Sequence, residues 1–429
     1  MFETLRNAWK IQDIRKKILY TLLMIAIYRL GVYIPVAGVN VDFIKTQVGN
    51  LDLLGYLDIF SGGALANFTI FAMGITPYIN ASIIMNLLTI AIPALERMAK
   101  EGDEGRKKIE NITRLAAIGF AFVQSVGILL GLGSDAILTS QSTVLPIVTY
   151  GTIGLVLTAG VAFLMWMGEK ITQNGIGNGI SMLIFASIVS RVPTIIFDFG
   201  RRTFTGEMTF WLLPVLIIAV VAVIAGVVLV DLGVRRVPVQ YAKRVVGRKQ
   251  YGGQSTHIPM RVNASGVLPL IFAVTIVQLP QMIAQFWPES KFTQWYATHL
   301  GSGSVVYFIV YALLIIAFAF FYTTISFNPV EMSKNLQQHG GFIPGIRPGK
   351  PTADYLKRIS NRLTLVGGLF LAIIAALPTL FTQVLRNYGG SLGAAFGATS
   401  VLIMVSVALE VSKQIESQMV MRNYKGFLK

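Results

Sequence analysis

FTIFAMGITPYINASIIMNLLTIAI, Phe68–Ile92, runs past the ~20 residues that a helix needs to cross the hydrocarbon of a bilayer without one Asp, Glu, Lys or Arg. Working outward, nine further apolar runs approach or meet that length: Ile18–Pro35, Ile112–Leu132, Val144–Met167, Ile180–Phe197, Trp211–Val230, Val267–Phe286, Val305–Phe327, Leu363–Leu380 and Ala394–Val411. Composition agrees. The 429 residues are 54% hydrophobic and 13% charged, and mean hydropathy is +0.65, whereas a soluble domain carries about 25% charged residues. The sequence therefore predicts an all-α membrane protein of ten transmembrane helices. The first run follows a polar stretch and carries on to spanning length with no small-residue cleavage site, so it is expected to act as its own targeting signal.

Orientation follows from Lys and Arg, which outnumber Asp and Glu by 36 to 20. Most lie in the N-terminal segment, in the second, fourth, sixth and eighth connections and in the tail. Lys45, Arg201, Arg202, Lys291 and Arg386 fall on the other side. The asymmetry predicts that both termini are cytoplasmic, with Arg201–Arg202 as the one local exception. Five spans per half set the second half upside down relative to the first, the arrangement of inverted-repeat proteins whose pathway lies between the halves. The expected division is residues 1–198 and 199–429. No sequence repeat accompanies it.

The spans hold almost no ionisable groups, although pumps and ion-coupled carriers need them at mid-depth. Arg29, Arg191 and Glu410 lie near span ends, where snorkelling to the headgroups accounts for them. His257, His299 and His339 sit far apart in loops, which disfavours a metal site or a histidine base. Cysteine is absent, so disulfides and thiolate chemistry are excluded. Gly175–Gly179 precedes a membrane span with no soluble strand and helix around it, so it does not read as a phosphate loop. Gly127 and Gly131 form a G-x-x-x-G packing face. What remains is a passive path or a scaffold, with no enzyme activity and no cofactor expected. A secondary transporter for a small solute is the alternative, and it calls for a midplane charged cluster that the spans lack.

Two features need more than topology. Leu51–Asn67 (LDLLGYLDIFSGGALAN) is too polar to span, yet it has helical apolar spacing and a flexible Ser61-Gly62-Gly63 joint. It either folds back into an external vestibule or lies as an amphipathic helix on the outer surface. The sixth and eighth connections, about 231–262 and 328–362, are long, basic and interspersed with Tyr, Pro and Gly, more than orientation requires.

Several strings, in order along the chain, resemble the SecY family of bacterial protein-export channels: FSGGAL (60–65), GITPYINASII (74–84), GIGNGIS (175–181), QSTH (254–257), FNP (327–329) and PGIRPG (344–349). The resemblance implies two pseudo-symmetric inverted halves of five helices around a central pore in the bacterial cytoplasmic membrane, translocating unfolded secretory polypeptides and releasing hydrophobic segments sideways into lipid. By the same resemblance a waist ring comprises Ile75, Ile79, Ile180, Ile184, Ile271 and Ile403, and the i,i+4 pairs put two side chains on one helix face. An aliphatic neck blocks ions, since dehydrating a charge is expensive and a narrow apolar passage dewets. It makes no directed bonds, so a polypeptide can part it.

The resemblance further implies a plug through Leu54, Leu57, Phe60, Ser61, Gly62 and Gly63. It implies a lateral seam with Asn80, Gln124 and Asn263 as polar residues whose mutual hydrogen bonds bias it shut by ~1 kcal/mol each. An opened seam lets a passing segment partition into lipid, where a central Leu is favoured by ~0.3–0.6 kcal/mol and a central Lys disfavoured by ~3 kcal/mol. Arg248, Lys249 and Arg347 are the implied docking residues for the SecA motor ATPase and the ribosome. SecE and SecG subunits, signal peptides, nascent chains and anionic lipids complete the implied partners.

Overall fold

The computed structural model describes residues 6, 9–50, 58, 61–138, 146–205, 212–241, 244–246, 249–251, 255–284, 290–300, 304–386 and 398–425. Helices dominate them: α1 Gln12–Gly31, α2 Val41–Asn50, α3 Thr76–Ala91, α4 Pro93–Lys100, α5 Asp103–Leu132, α6 Pro146–Asn174, α7 Gly179–Phe204, α8 Leu212–Leu232, α9 Leu268–Ala284, α10 Lys291–Leu300, α11 Val305–Ser326, α12 Pro329–Gln338, α13 Lys350–Arg386 and α14 Ala398–Lys425. Each of the ten apolar runs overlaps one of them. By length and composition among the described residues, four helices are long and apolar enough to cross a membrane, and a fifth span counts if α3 and α4 are taken together.

The stretch Phe68–Ile92 shows how local chemistry sets the boundaries. Its first residues, 68–75, are turns, and the helix starts only at Thr76, with Pro77 in the first turn, where a missing N–H costs nothing. At the far end Pro93 holds Ile92 extended at φ −106°, ψ 112°. The chain bends by 99° there into α4, which carries Glu96, Arg97 and Lys100 and buries none of its side chains. Elsewhere helices outrun their apolar runs. α5 begins at Asp103 with Gly102 at φ 86° before it, and α13 spans 37 residues, about 55 Å of helix against ~30 Å of hydrocarbon. A helix does not stop where lipid stops; its charged end continues into water.

The long basic connections are not plain loops. β1 (Val234–Tyr241) pairs antiparallel with β4 (Ser255–Arg261), from Val234 opposite Arg261 to Gln240 opposite Ser255. β5 (Gly341–Phe342), from the other basic connection, pairs with the far edge of β1, and β2 (Arg244–Val246) pairs with β3 (Lys249–Tyr251) in a separate ribbon. Alternation explains the seating. Val237 and Val239 turn inward, Arg236, Pro238 and Gln240 outward, and the two valines pack with Met260, Leu336, Ile343 and Leu356. Leu356 belongs to α13, so one helix joins this platform to the helical bundle.

The glycine string between α6 and α7 is a packing device. A Cβ at Gly179 meets the Gly168 carbonyl oxygen at 1.9 Å, so only glycine lets the two helices approach this closely. Thr21 of α1 caps the turn from outside, accepting from the Ile176 amide at 3.1 Å.

Candidate functional site

Four helices meet at an apolar cluster, the place where the sequence expected a neck. α7 contributes Ile180, Ile184 and Ile188, and α14 contributes Ile403, Val407 and Val411, each set at i, i+4, i+8 on one helix face. α3 adds Ile79, and Val267 and Ile271 come from the start of α9. Ile403 is 1% exposed and Ile184 7%. Five of the six ring isoleucines named from the sequence fall in this one apolar cluster. Ile75, at the N-cap of α3, lies in the adjoining cluster, which shares Ile79 and Ile180 with the first. Ile188, Val407 and Val267 were not read from the sequence; one more turn along the Ile184 and Ile403 stripes reaches the first two.

On one side of this neck the helices grip the segment named as a plug. Leu54, Leu57 and Phe60 lie outside the described residues. Ser61, Gly62 and Gly63 are described, and each is held. Tyr28 of α1 donates to the Ser61 carbonyl at 3.0 Å and shares a 2.6 Å hydrogen bond with Ser187 of α7. Arg29 donates to the Gly62 carbonyl at 3.3 Å and to Ser190 Oγ at 2.8 Å. Gly62 has φ 69°, and a Cβ there stands 3.0 Å from the Ser187 Cα, so conformation and space both require glycine.

Asp58 organises the joint from within. It is 3% exposed and ion-paired with Arg191 of α7. Its carboxylate accepts from the Ala66 amide at 2.7 Å, and its carbonyl accepts from Ser61 Oγ at 3.1 Å and the Gly63 amide at 3.0 Å. Burial pushes the Asp58 carboxyl above its ordinary value, while the Arg191 guanidinium and the Ala66 amide pull it back. Arg29 and Arg191 therefore do not snorkel, as their positions near span ends suggested. Both turn inward, because buried carbonyls, hydroxyls and a carboxylate offer them partners that lipid does not.

Ile180, Ile184, Ser187 and Arg191 sit at i, i+4, i+7 and i+11, one continuous stripe of α7. The isoleucine cluster and the contacts of Ser187 and Arg191 are thus successive storeys of one helix face, about 10 Å apart between Ile184 and Arg191.

The seam residues are arranged differently from the expected mutual bonding. Asn80 of α3 accepts from Thr275 of α9 at 3.3 Å, whereas Asn263 donates to Asp231 at 2.8 Å, an acceptor that Ser406 of α14 also reaches at 2.7 Å. Gln124 is buried, and its Oε1 meets no partner among the described residues. Thr275 and Asp231 were missed in the sequence, since neither belongs to a motif. At the platform, Arg347 is exposed in a turn between Gly345 (φ 81°) and Gly349 (φ 92°). Ser333 of α12 ties that turn down through a 2.7 Å hydrogen bond to the Gly349 carbonyl. Lys249 opens β3 opposite Val246, and Arg248 lies outside the described residues. Among the described residues no group of His, Asp and Glu could hold a metal ion.

Comparison with known proteins places this geometry in a family. The family model described as SecY matches residues 69–412. The protein translocase subunit SecY of Bacillus subtilis is 45% identical over 439 residues, covering 100% of both chains. Among solved structures, that of a protein conducting channel superposes with a TM-score of 0.64 at 20% identity, covering 95% of this chain and 93% of the other. Sec61 in the canine ribosome-channel complex from the endoplasmic reticulum gives 0.58 at 17% identity, with the same coverage. On a match that runs the full length of both chains, the chain belongs to the SecY family of protein translocase subunits.

Proposed function

We propose that this chain is the conducting subunit of a protein translocase in the bacterial cytoplasmic membrane, a passive pore that passes unfolded polypeptide and releases apolar segments sideways into lipid. The single observation that carries this reading is the cluster of aliphatic side chains where α3, α7, α9 and α14 converge beside a segment clasped by α1 and α7. An ion entering such a neck loses hydration and gains no ligand. An extended polypeptide displaces the same side chains without breaking a directed bond.

In this reading the ten apolar helices are ten spans in two inverted halves, 1–198 and 199–429, with both termini cytoplasmic. Ile75, Ile79, Ile180, Ile184, Ile271 and Ile403 form the ring, and the segment of about 51–67 is the plug. The seam lies between α3 with α5 and α9 with α11, and Thr275 joins Asn80 as its polar bridge. The exposed Arg347 turn and the basic strands form a dock for the ribosome and for a SecA-type motor, which supply the driving force that this chain lacks. The ribosome-bound Sec61 channel supports the first of these partners, and SecE- and SecG-type subunits complete the assembly. Lys and Arg on that face also suit anionic lipid.

The test is electrical. Replacing Ile79 and Ile403 by glycine or asparagine raises resting ion conductance of the reconstituted channel in planar bilayers. Unaltered conductance refutes the ring assignment.

A further inference from the structure

Asp58 lies in the plug segment, and its only ion-pair partner among the described residues is Arg191, far along the sequence on α7. We infer that Asp58 and Arg191 form a charged latch that holds the plug seated over the neck, with Arg191 as the positioning residue. The inference deepens the plug reading and rests on it.

Three observations converge. Asp58 is 3% exposed, and its carboxylate also caps the turn at Ala66, so the carboxylate binds its own loop and the α7 side chain together. The flanking contacts are not ion pairs: Tyr28 and Arg29 donate to the main-chain carbonyls of Ser61 and Gly62, acceptors that carry no net charge. They fit the joint but respond little to its departure, since carbonyls are solvated readily once exposed. The ion pair differs. Separating it within the low-dielectric vestibule leaves two charges unpaired until water reaches both, so it places a barrier on the first step of plug withdrawal. Finally, Arg191 shares its helix stripe with Ile180 and Ile184. Motion of α7 that widens the neck therefore displaces the guanidinium from Asp58, and opening of the neck and release of the plug become one event.

The experiment uses the full chain with its partner subunits in planar bilayers and compares resting conductance of Asp58→Asn, Arg191→Gln, Arg191→Lys, the double Asp58→Asn/Arg191→Gln, and a deletion of residues 58–66. Each neutralising single substitution is expected to raise resting conductance about tenfold or more, because each strands the opposite charge. Arg191→Lys, which keeps the charge but not the fork, leaks less than Arg191→Gln. The double leaks no more than the leakier single, as coupled partners require. Recovery of intact complex by size-exclusion chromatography accompanies every variant, and the graded Lys and double variants keep the outcome readable if one single fails to assemble. Singles at wild-type conductance, or a double whose leak is the product of the two singles, overturn the latch. If those singles stay tight while the deletion leaks, the latch alone is wrong; if the deletion also stays tight, the plug reading itself is wrong.

Discussion

Thr275→Val removes one hydroxyl from the seam and keeps the side-chain shape nearly constant. That hydroxyl donates to Asn80 across 3.3 Å, and both residues are 5% exposed. The bond is at the long end of the hydrogen-bonding range, and interhelical side-chain bonds in membranes average ~0.6 kcal/mol. At 1.4 kcal/mol per tenfold, its loss shifts a closed-to-open ratio about threefold. The cysteine-free background permits spin labels at two introduced cysteines, at Ile90 near the end of α3 and Leu268 at the start of α9, both exposed. Distance distributions between them should show the wider population rising about threefold in Thr275→Val, with no further rise when Asn80→Leu is added. An unchanged distribution refutes Thr275 as a seam bond. A further rise of similar size on adding Asn80→Leu refutes the pairing with Asn80.

Reversing Arg347 to Glu leaves assembly intact, because the side chain is exposed and its turn is held by the Ser333 and Thr352 hydroxyls donating to the Gly349 and Arg347 carbonyls, yet it abolishes most motor-driven export in inverted vesicles; retained export contradicts the docking role. Gly179→Ala lowers the thermal midpoint of the detergent-solubilised complex, since its Cβ meets a backbone carbonyl at 1.9 Å and overpacking of this kind costs ~1–3 kcal/mol. Gly119→Ala, with nothing within 4 Å of its Cβ, does not lower it.

The helical frame was legible because lipid imposes long apolar runs, and each run carries a helix. The platform was not. Val237 and Val239 alternate over too few residues to announce a strand amid Arg235, Arg236 and Pro238, and β1 pairs with β4 and, through Gln240 and Tyr241, with β5 from a different connection. The i,i+4 isoleucine pairs were legible, but spacing alone could not bring α7 and α14 together into one cluster, and the ring was named on family resemblance. Arg29 and Arg191 were misread as snorkelling for a related reason. A span-end arginine has the same local sequence whether it faces headgroups or a folded-back loop, and only the tertiary position of Asp58 and Gly62 decides. Thr275 escaped because a single hydroxyl on an apolar helix usually bonds its own backbone.

The central claim is that polypeptide crosses at the apolar neck and nowhere else. Single cysteines at Ile403 and at Leu229, the latter 74% exposed on α8, can each be oxidised in the presence of a secretory chain arrested mid-passage and bearing one cysteine. Disulfide formation at position 403 and none at 229 is the expected result. Equal capture at both positions, or capture only at 229, contradicts it.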